Sequence, residues 1–164
     1  MFESLKEFSS IVISGPQRSG TRIAAKIIAA DTNKELIDER YLNNHDERLL
    51  NHYLTKENVV IQCPGLCHLL HRIKTPSTLI IVILRPIQEI ISSEIRCWDK
   101  KSEFIELVKY GYTNGVISEI KYNFWKSHQK PLLSDKAREI EYHKLSSHPL
   151  FIKDRKNFRW NQTE

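Results

Sequence analysis

The sequence predicts an α/β fold in which a mostly parallel sheet is flanked by helices on both faces, a three-layer sandwich, and three observations carry that expectation. Strand-like and helix-like segments alternate along the chain. Leu79-Ile80-Ile81-Val82-Ile83-Leu84 is uninterruptedly apolar, as expected of a parallel strand buried on both faces. Finally, Ile11-Val12-Ile13-Ser14 passes through a loop bounded by Gly15 and Gly20 straight into Ile23-Ala24-Ala25-Lys26-Ile27-Ile28-Ala29-Ala30, a run of helix formers.

The remaining elements follow in order. Glu35-Leu36-Ile37-Asp38 reads as a short second strand, and Leu42 to Leu54 as a polar helix. Val59-Val60-Ile61-Gln62 is a third strand, stopped by Pro64-Gly65, with a short helix from Leu66 to Ile73. After the Leu79–Leu84 strand, Pro86 sits where it starts the helix Ile87 to Arg96. Phe104, Val108, Tyr112, Val116, Ile120 and Phe124 recur every fourth residue and predict one apolar stripe on a long helix. Gly111 and Gly115 beside it are either close-packing positions or weak points. Ile140-Glu141-Tyr142 is a last short strand, and the chain is expected to form one domain over residues 1–164.

The loop carries the chemistry. Gly15-Pro16-Gln17-Arg18-Ser19-Gly20-Thr21-Arg22 has the glycine spacing of a phosphate-binding loop, and its amides lie at a helix N-terminus, whose unpaired donors favour an anion. The G-x-x-x-x-G-K-[ST] pattern places lysine after the second glycine; here that residue is Thr21, and the cation stands inside the loop as Arg18. Arg85 falls at the carboxyl end of a central strand, the edge where open α/β sheets bind ligands, and Ser93 follows about two helical turns later.

Gly-x-x-Arg-Ser-Gly-Thr resembles the 5′-phosphosulfate loop of the sulfotransferases, which have a nucleotide-kinase-like fold and use 3′-phosphoadenosine 5′-phosphosulfate. Arg18, Ser19, Gly20 and Thr21 match that loop in order, while Arg22 replaces its second small hydroxyl residue. The resemblance implies that Gly15, Pro16, Gln17, Arg18, Ser19, Gly20, Thr21 and Arg22 hold the 5′-phosphate and sulfate, with Arg18 at the transferring group. It also implies that Arg85 and Ser93 grip the 3′-phosphate. The tail Ile152-Lys153-Asp154-Arg155-Lys156-Asn157-Phe158-Arg159-Trp160 is similar to the family's late Arg-Lys-Gly loop, which implies a further 3′-phosphate contact from Arg155 and Lys156, with Asn157 in the glycine's place. The cytosolic members carry a catalytic histidine just before a proline at the end of the third strand; Gln62 and Cys63 stand there in this chain. Glu39 or Asp38, at the end of the second strand, is then a candidate base, with Glu39 preferred, and His68 or His71 are alternatives.

Composition bounds the partners. Of 164 residues, 40% are hydrophobic and 27% charged, ordinary for a soluble globular protein. No apolar run approaches the ~20 residues that span a bilayer, and three cysteines argue for a reducing, cytoplasmic setting. The net charge of +5 suits a polyanionic donor, whereas the longest basic runs, Lys100-Lys101 and Arg155-Lys156, are too short for nucleic-acid binding to be the main role. Cys63, Cys67 and His71 resemble a metal cluster in their spacing, but the proline and glycine break its register, so buried thiols are the expectation and no metal is expected.

The leading reading is sulfuryl transfer to a small hydroxyl or amine acceptor. The alternatives are a nucleotide kinase or nucleotidase, and a non-catalytic nucleotide-binding protein that kept the cradle.

Overall fold

The structure is a computed structural model and describes residues 1–43, 46–98 and 114–157, the side chains of 97, 98, 114 and 155–157 excepted. Five strands, β1 (Ser10–Ser14), β2 (Glu35–Ile37), β3 (Val59–Gln62), β4 (Thr78–Leu84) and β5 (Ala137–Glu141), form one sheet in the order β2-β3-β1-β4-β5. Every pairing is parallel, with Ser10 opposite Val59 on one side and Thr78 on the other. β1 is therefore central, and all five of its residues are fully buried.

Alternation along the strands separates two cores, because successive side chains leave opposite faces of a sheet. Val12, Ile61, Ile80 and Val82 face one way, onto α2 (Glu47–Leu54), the 3₁₀ segment Pro64–Arg72, α3 (Ile87–Trp98) and α4 (Asn114–Phe124). Ile11, Ile13, Leu79, Ile81 and Ile83 face the other way, onto α1 (Thr21–Thr32) and α5 (Pro149–Asn157), which contributes Phe151. Helices thus cover both faces of an all-parallel sheet, the arrangement the β-branched runs require.

Local chemistry moves several element boundaries. The helix expected from Leu42 begins only at Glu47. Asp38 first caps a 3₁₀ turn over Glu39–Leu42, Asn43 closes that turn in the left-handed region, and Asp46 caps α2 through the Arg48 amide. The Leu66–Ile73 helix is a 3₁₀ segment from Pro64 to Arg72, kinked at Leu66. The last strand starts three residues earlier than expected and releases Tyr142 into a 3₁₀ turn, Tyr142–Leu145. The tail is helical through Asn157 rather than a loop.

The predicted stripe on the long helix is corrected. Phe104, Val108, Gly111 and Tyr112 lie outside the described residues, while Val116 is 50% and Ile120 61% exposed. A strict four-residue repeat advances about 40° per step on a 3.6-residue helix, so it cannot hold one face. The buried positions are Gly115, Ser118, Tyr122 and Trp125, spaced three and four apart. A Cβ on Gly115 would come within 2.6 Å of Ile91, so this glycine is a close-packing position between α4 and α3. Beyond Phe124 a π-helical turn, Trp125–Gln129, buries Gln129, whose amide donates to the Cys67 carbonyl at 2.9 Å.

Candidate nucleotide-phosphate site

The cradle forms where β1 turns into α1. Ser14 Oγ donates to the Cys63 carbonyl at 2.9 Å, fixing the end of β1 to the end of β3. Gly15 and Gly20 both have positive φ, +146° and +101°, and Arg18 sits in the left-handed region at +65°. A Cβ on Gly20 would run into the Tyr142 ring, so nothing larger than glycine fits there. Gly20 is the N-cap of α1 and offers no side chain to it, which leaves first-turn amides for a ligand. Ser19 Oγ is buried without a hydrogen bond, close to the Tyr122 hydroxyl. A buried hydroxyl in a loop at a helix N-terminus is a candidate anion contact.

One wall of the site is cationic. The Arg18 guanidinium donates from Nε and Nη2 to Ser93 Oγ at 3.3 and 3.2 Å. Arg85 Nη1 donates to the Arg18 carbonyl at 3.0 Å, so the second arginine holds the strained backbone of the first. Arg85 also pairs with Glu89 at 3.1 Å and lies 4.0 Å above the Tyr142 ring. His143 Nε2 reaches Glu89 at 2.7 Å. Tyr122 supports the corner from below, donating to the Ile83 carbonyl and accepting from the Arg85 amide, both at 3.0 Å. Burial pushes its phenol up to about 12.

The opposite wall is acidic and amide-lined. Gln62, 2% exposed, donates through Nε2 to Thr21 Oγ1 at 3.3 Å and accepts the Glu39 amide at 3.5 Å. Arg22 Nε lies 3.7 Å from Asp38. Burial opposes the charge of Asp38, but the Arg40 amide and guanidinium, with Arg22 behind them, hold its carboxyl below the ordinary range. Glu39 behaves oppositely. Desolvation and then the neighbouring Asp38 raise it above 4.5, against the stabilising amides of Gln17 and Gln62.

A raised carboxyl is a stability cost at neutral pH. Glu39's contribution is fully present below 4.5 and is lost as pH rises through its higher folded value. Glu39→Gln is therefore expected to raise the melting midpoint at pH 7, with the gain shrinking toward pH 4.5. A melting series showing no gain at pH 7 would mean that this carboxyl is not desolvated.

The structure thus brings Gly15 to Arg22, Arg85 and Ser93 to one sheet edge, with Arg18 as the residue that touches both of the latter. Glu39 stands on the other side of the same loop, beyond Gln62 and Thr21. The side chains of Arg155 and Lys156, on the last turn of α5, lie outside the described residues. His68 is exposed, and His71 is turned away to Gln129, 3.2 Å from its side-chain oxygen. Cys63 and Cys67 are buried free thiols, both pushed up by desolvation, and no metal-holding group of three His, Cys, Asp or Glu occurs among the described residues. Nor is any described helix long and apolar enough to cross a membrane.

Sequence reasoning missed Tyr142, Tyr122 and the role of Gln62. Only position could have signalled the first and last: each is at the carboxyl end of a strand, on the ligand-binding edge.

No family model matches the chain, and no curated protein matches its sequence. Solved structures do match. A shikimate kinase from Acinetobacter baumannii, in complex with shikimate, aligns with TM-score 0.57 and 12% identity over 99% of this chain and 97% of its own. A shikimate kinase from Bacteroides thetaiotaomicron aligns with TM-score 0.51 and 11% identity over 94% and 98%. With the strand order and the loop already in place, these likenesses settle the fold as the phosphate-binding-loop, nucleotide-kinase-like α/β type.

Proposed function

We propose that this protein binds the phosphate end of a nucleotide donor in the Gly15–Thr21 loop and transfers a sulfuryl group from 3′-phosphoadenosine 5′-phosphosulfate to a hydroxyl or amine acceptor. The observation that carries the reading is the Arg18–Ser93 contact. The loop cation, which the sulfotransferase resemblance assigns to the transferring group, and the helix serine, which it assigns to the 3′-phosphate, are brought to one wall of the loop. In the proposed reaction an acceptor oxygen bonds to sulfur as the bond from sulfur to the bridging oxygen breaks. The electron pair leaves with the phosphate, where Arg18 and the loop amides meet the new charge, and the acceptor's proton passes to Glu39.

The donor set supports a metal-free reaction. Where a kinase-type loop carries a serine or threonine for magnesium, this chain has Arg22, with Asp38 at 3.7 Å. A guanidinium at that place repels a divalent cation and offers it no oxygen ligand.

A second reading, phosphoryl transfer, is favoured by the fold, since the aligned structures are of shikimate kinases. Fold alone is a weak guide to chemistry, and the absence of the loop lysine counts against it.

Calorimetry separates the two. Adenosine 3′,5′-bisphosphate is expected to bind more tightly than AMP by about 1.5–3 kcal/mol, the worth of a charge-assisted contact to the 3′-phosphate. Equal affinities would remove the role given to Arg85 and Ser93, and stronger stabilisation by ATP with magnesium would favour phosphoryl transfer.

A further inference from the structure

We infer that Gln62 is a positioning residue that orients both the proposed base, Glu39, and the hydroxyl of Thr21 toward the reacting group, an inference that rests on the donor-cradle reading above. Hydrogen-bond polarity fixes the orientation of its amide. The Glu39 backbone N–H can only donate, and it points to Gln62 Oε1 at 3.5 Å, so that oxygen must face Glu39. The NH₂ therefore faces Thr21 Oγ1 at 3.3 Å and donates to it. The same NH₂ has a second hydrogen, and an amide beside the Glu39 carboxyl favours its charged form.

Thr21 Oγ1 receives a hydrogen bond from Gln62, so its own hydrogen needs a further acceptor. Thr21 is 4% exposed at the first position of α1, and an anion seated on the α1 amides would supply that acceptor. Glu39, meanwhile, is held through its backbone amide to the strand that abuts the cradle. Gln62 does this from the last residue of β3, whose backbone is paired to β1 at Ile13, with its side chain 2% exposed. A nonionisable amide suits this position, because a histidine or carboxylate here would titrate beside Glu39 and disturb its charge. The charged and titratable groups facing Glu39 are Asp38 on its own turn, Arg22 from α1 and the Cys63 thiol beyond β3.

The test uses the full chain with Gln62→Met, which keeps the shape and removes the amide, and Gln62→Asn, which keeps an uncharged amide and shortens its reach. Carbon-detected NMR titration of the Glu39 carboxyl reads one arm; calorimetric affinity for inorganic pyrophosphate, in a cycle with Thr21→Val, reads the other. Both Gln62 variants are expected to move the Glu39 midpoint upward. Gln62→Met is expected to weaken pyrophosphate binding by roughly three- to tenfold, and to have little further effect once Thr21 is valine. An unmoved Glu39 midpoint in both variants overturns the inference, as does a pyrophosphate loss that simply adds to that of Thr21→Val. Failure of the wild-type protein to bind pyrophosphate overturns the cradle reading and, with it, the Thr21 arm. The Glu39 titration still decides the other arm.

Discussion

Arg18→Ala is expected to reduce sulfuryl transfer at least a hundredfold while leaving affinity for adenosine 3′,5′-bisphosphate within about tenfold. The split follows from where the residue's parts lie. Its backbone, at φ +65°, shapes the loop and is held by Arg85 through the carbonyl, a bond that alanine retains. Its guanidinium reaches out to Ser93 and is the charge within the loop itself. Alanine thus deletes the group placed to meet negative charge developing on the leaving oxygen, and spares the amides that hold the product. Arg18→Lys should retain more activity than alanine, because a point charge survives although the forked geometry is lost. Steady-state rates and product calorimetry on the same preparations decide the matter. Wild-type turnover in the alanine variant would contradict the role given to this arginine.

Gly20→Ala is expected to cost about 2–5 kcal/mol of folding stability, combining strain at a positive φ with overpacking. At φ +101° an L side chain is disfavoured, and the new methyl would collide with the Tyr142 ring. That ring cannot easily retreat, since the Arg85 guanidinium lies 4.0 Å over it and Phe151 packs beside it at 5.4 Å between centroids. Moving the ring would also disturb Arg85, and with it the carbonyl bond that fixes Arg18. The substitution should therefore weaken bisphosphate binding along with stability. Urea denaturation of Gly20→Ala, Tyr142→Ala and the double variant separates the contributions. The double variant should recover the overlap and keep the backbone strain, so strictly additive losses would show that ring and loop do not compete for space.

Legibility in the sequence differs from element to element. The first loop is readable because its information is local: two glycines at fixed spacing, a preceding apolar strand and a following helix specify the turn through backbone sterics and orphan amides. The buried strand Leu79–Leu84 is equally readable, because a strand covered on both faces needs apolar residues at every position. The long helix misleads because a four-residue repeat and a 3.6-residue turn drift apart, and the sequence contains both Val116-Ile120-Phe124 and Gly115-Ser118-Tyr122. Packing against Ile91 and the sheet selects the second set.

The sequence by itself determined the fold class, through the alternation of strand-like and helix-like segments, and the glycine-bounded loop between β1 and α1, whose residues lie within about a dozen positions of one another. Only the tertiary structure decided which distant groups share that cradle. Ser93 meets Arg18 across 75 positions, Tyr142 closes on Gly20, and Gln62 joins Thr21 to Glu39, none of which any local pattern encodes. The physical reason is the parallel sheet. It gathers the carboxyl ends of β1 to β5 along one edge, so residues far apart in the chain become neighbours once the strand order is fixed.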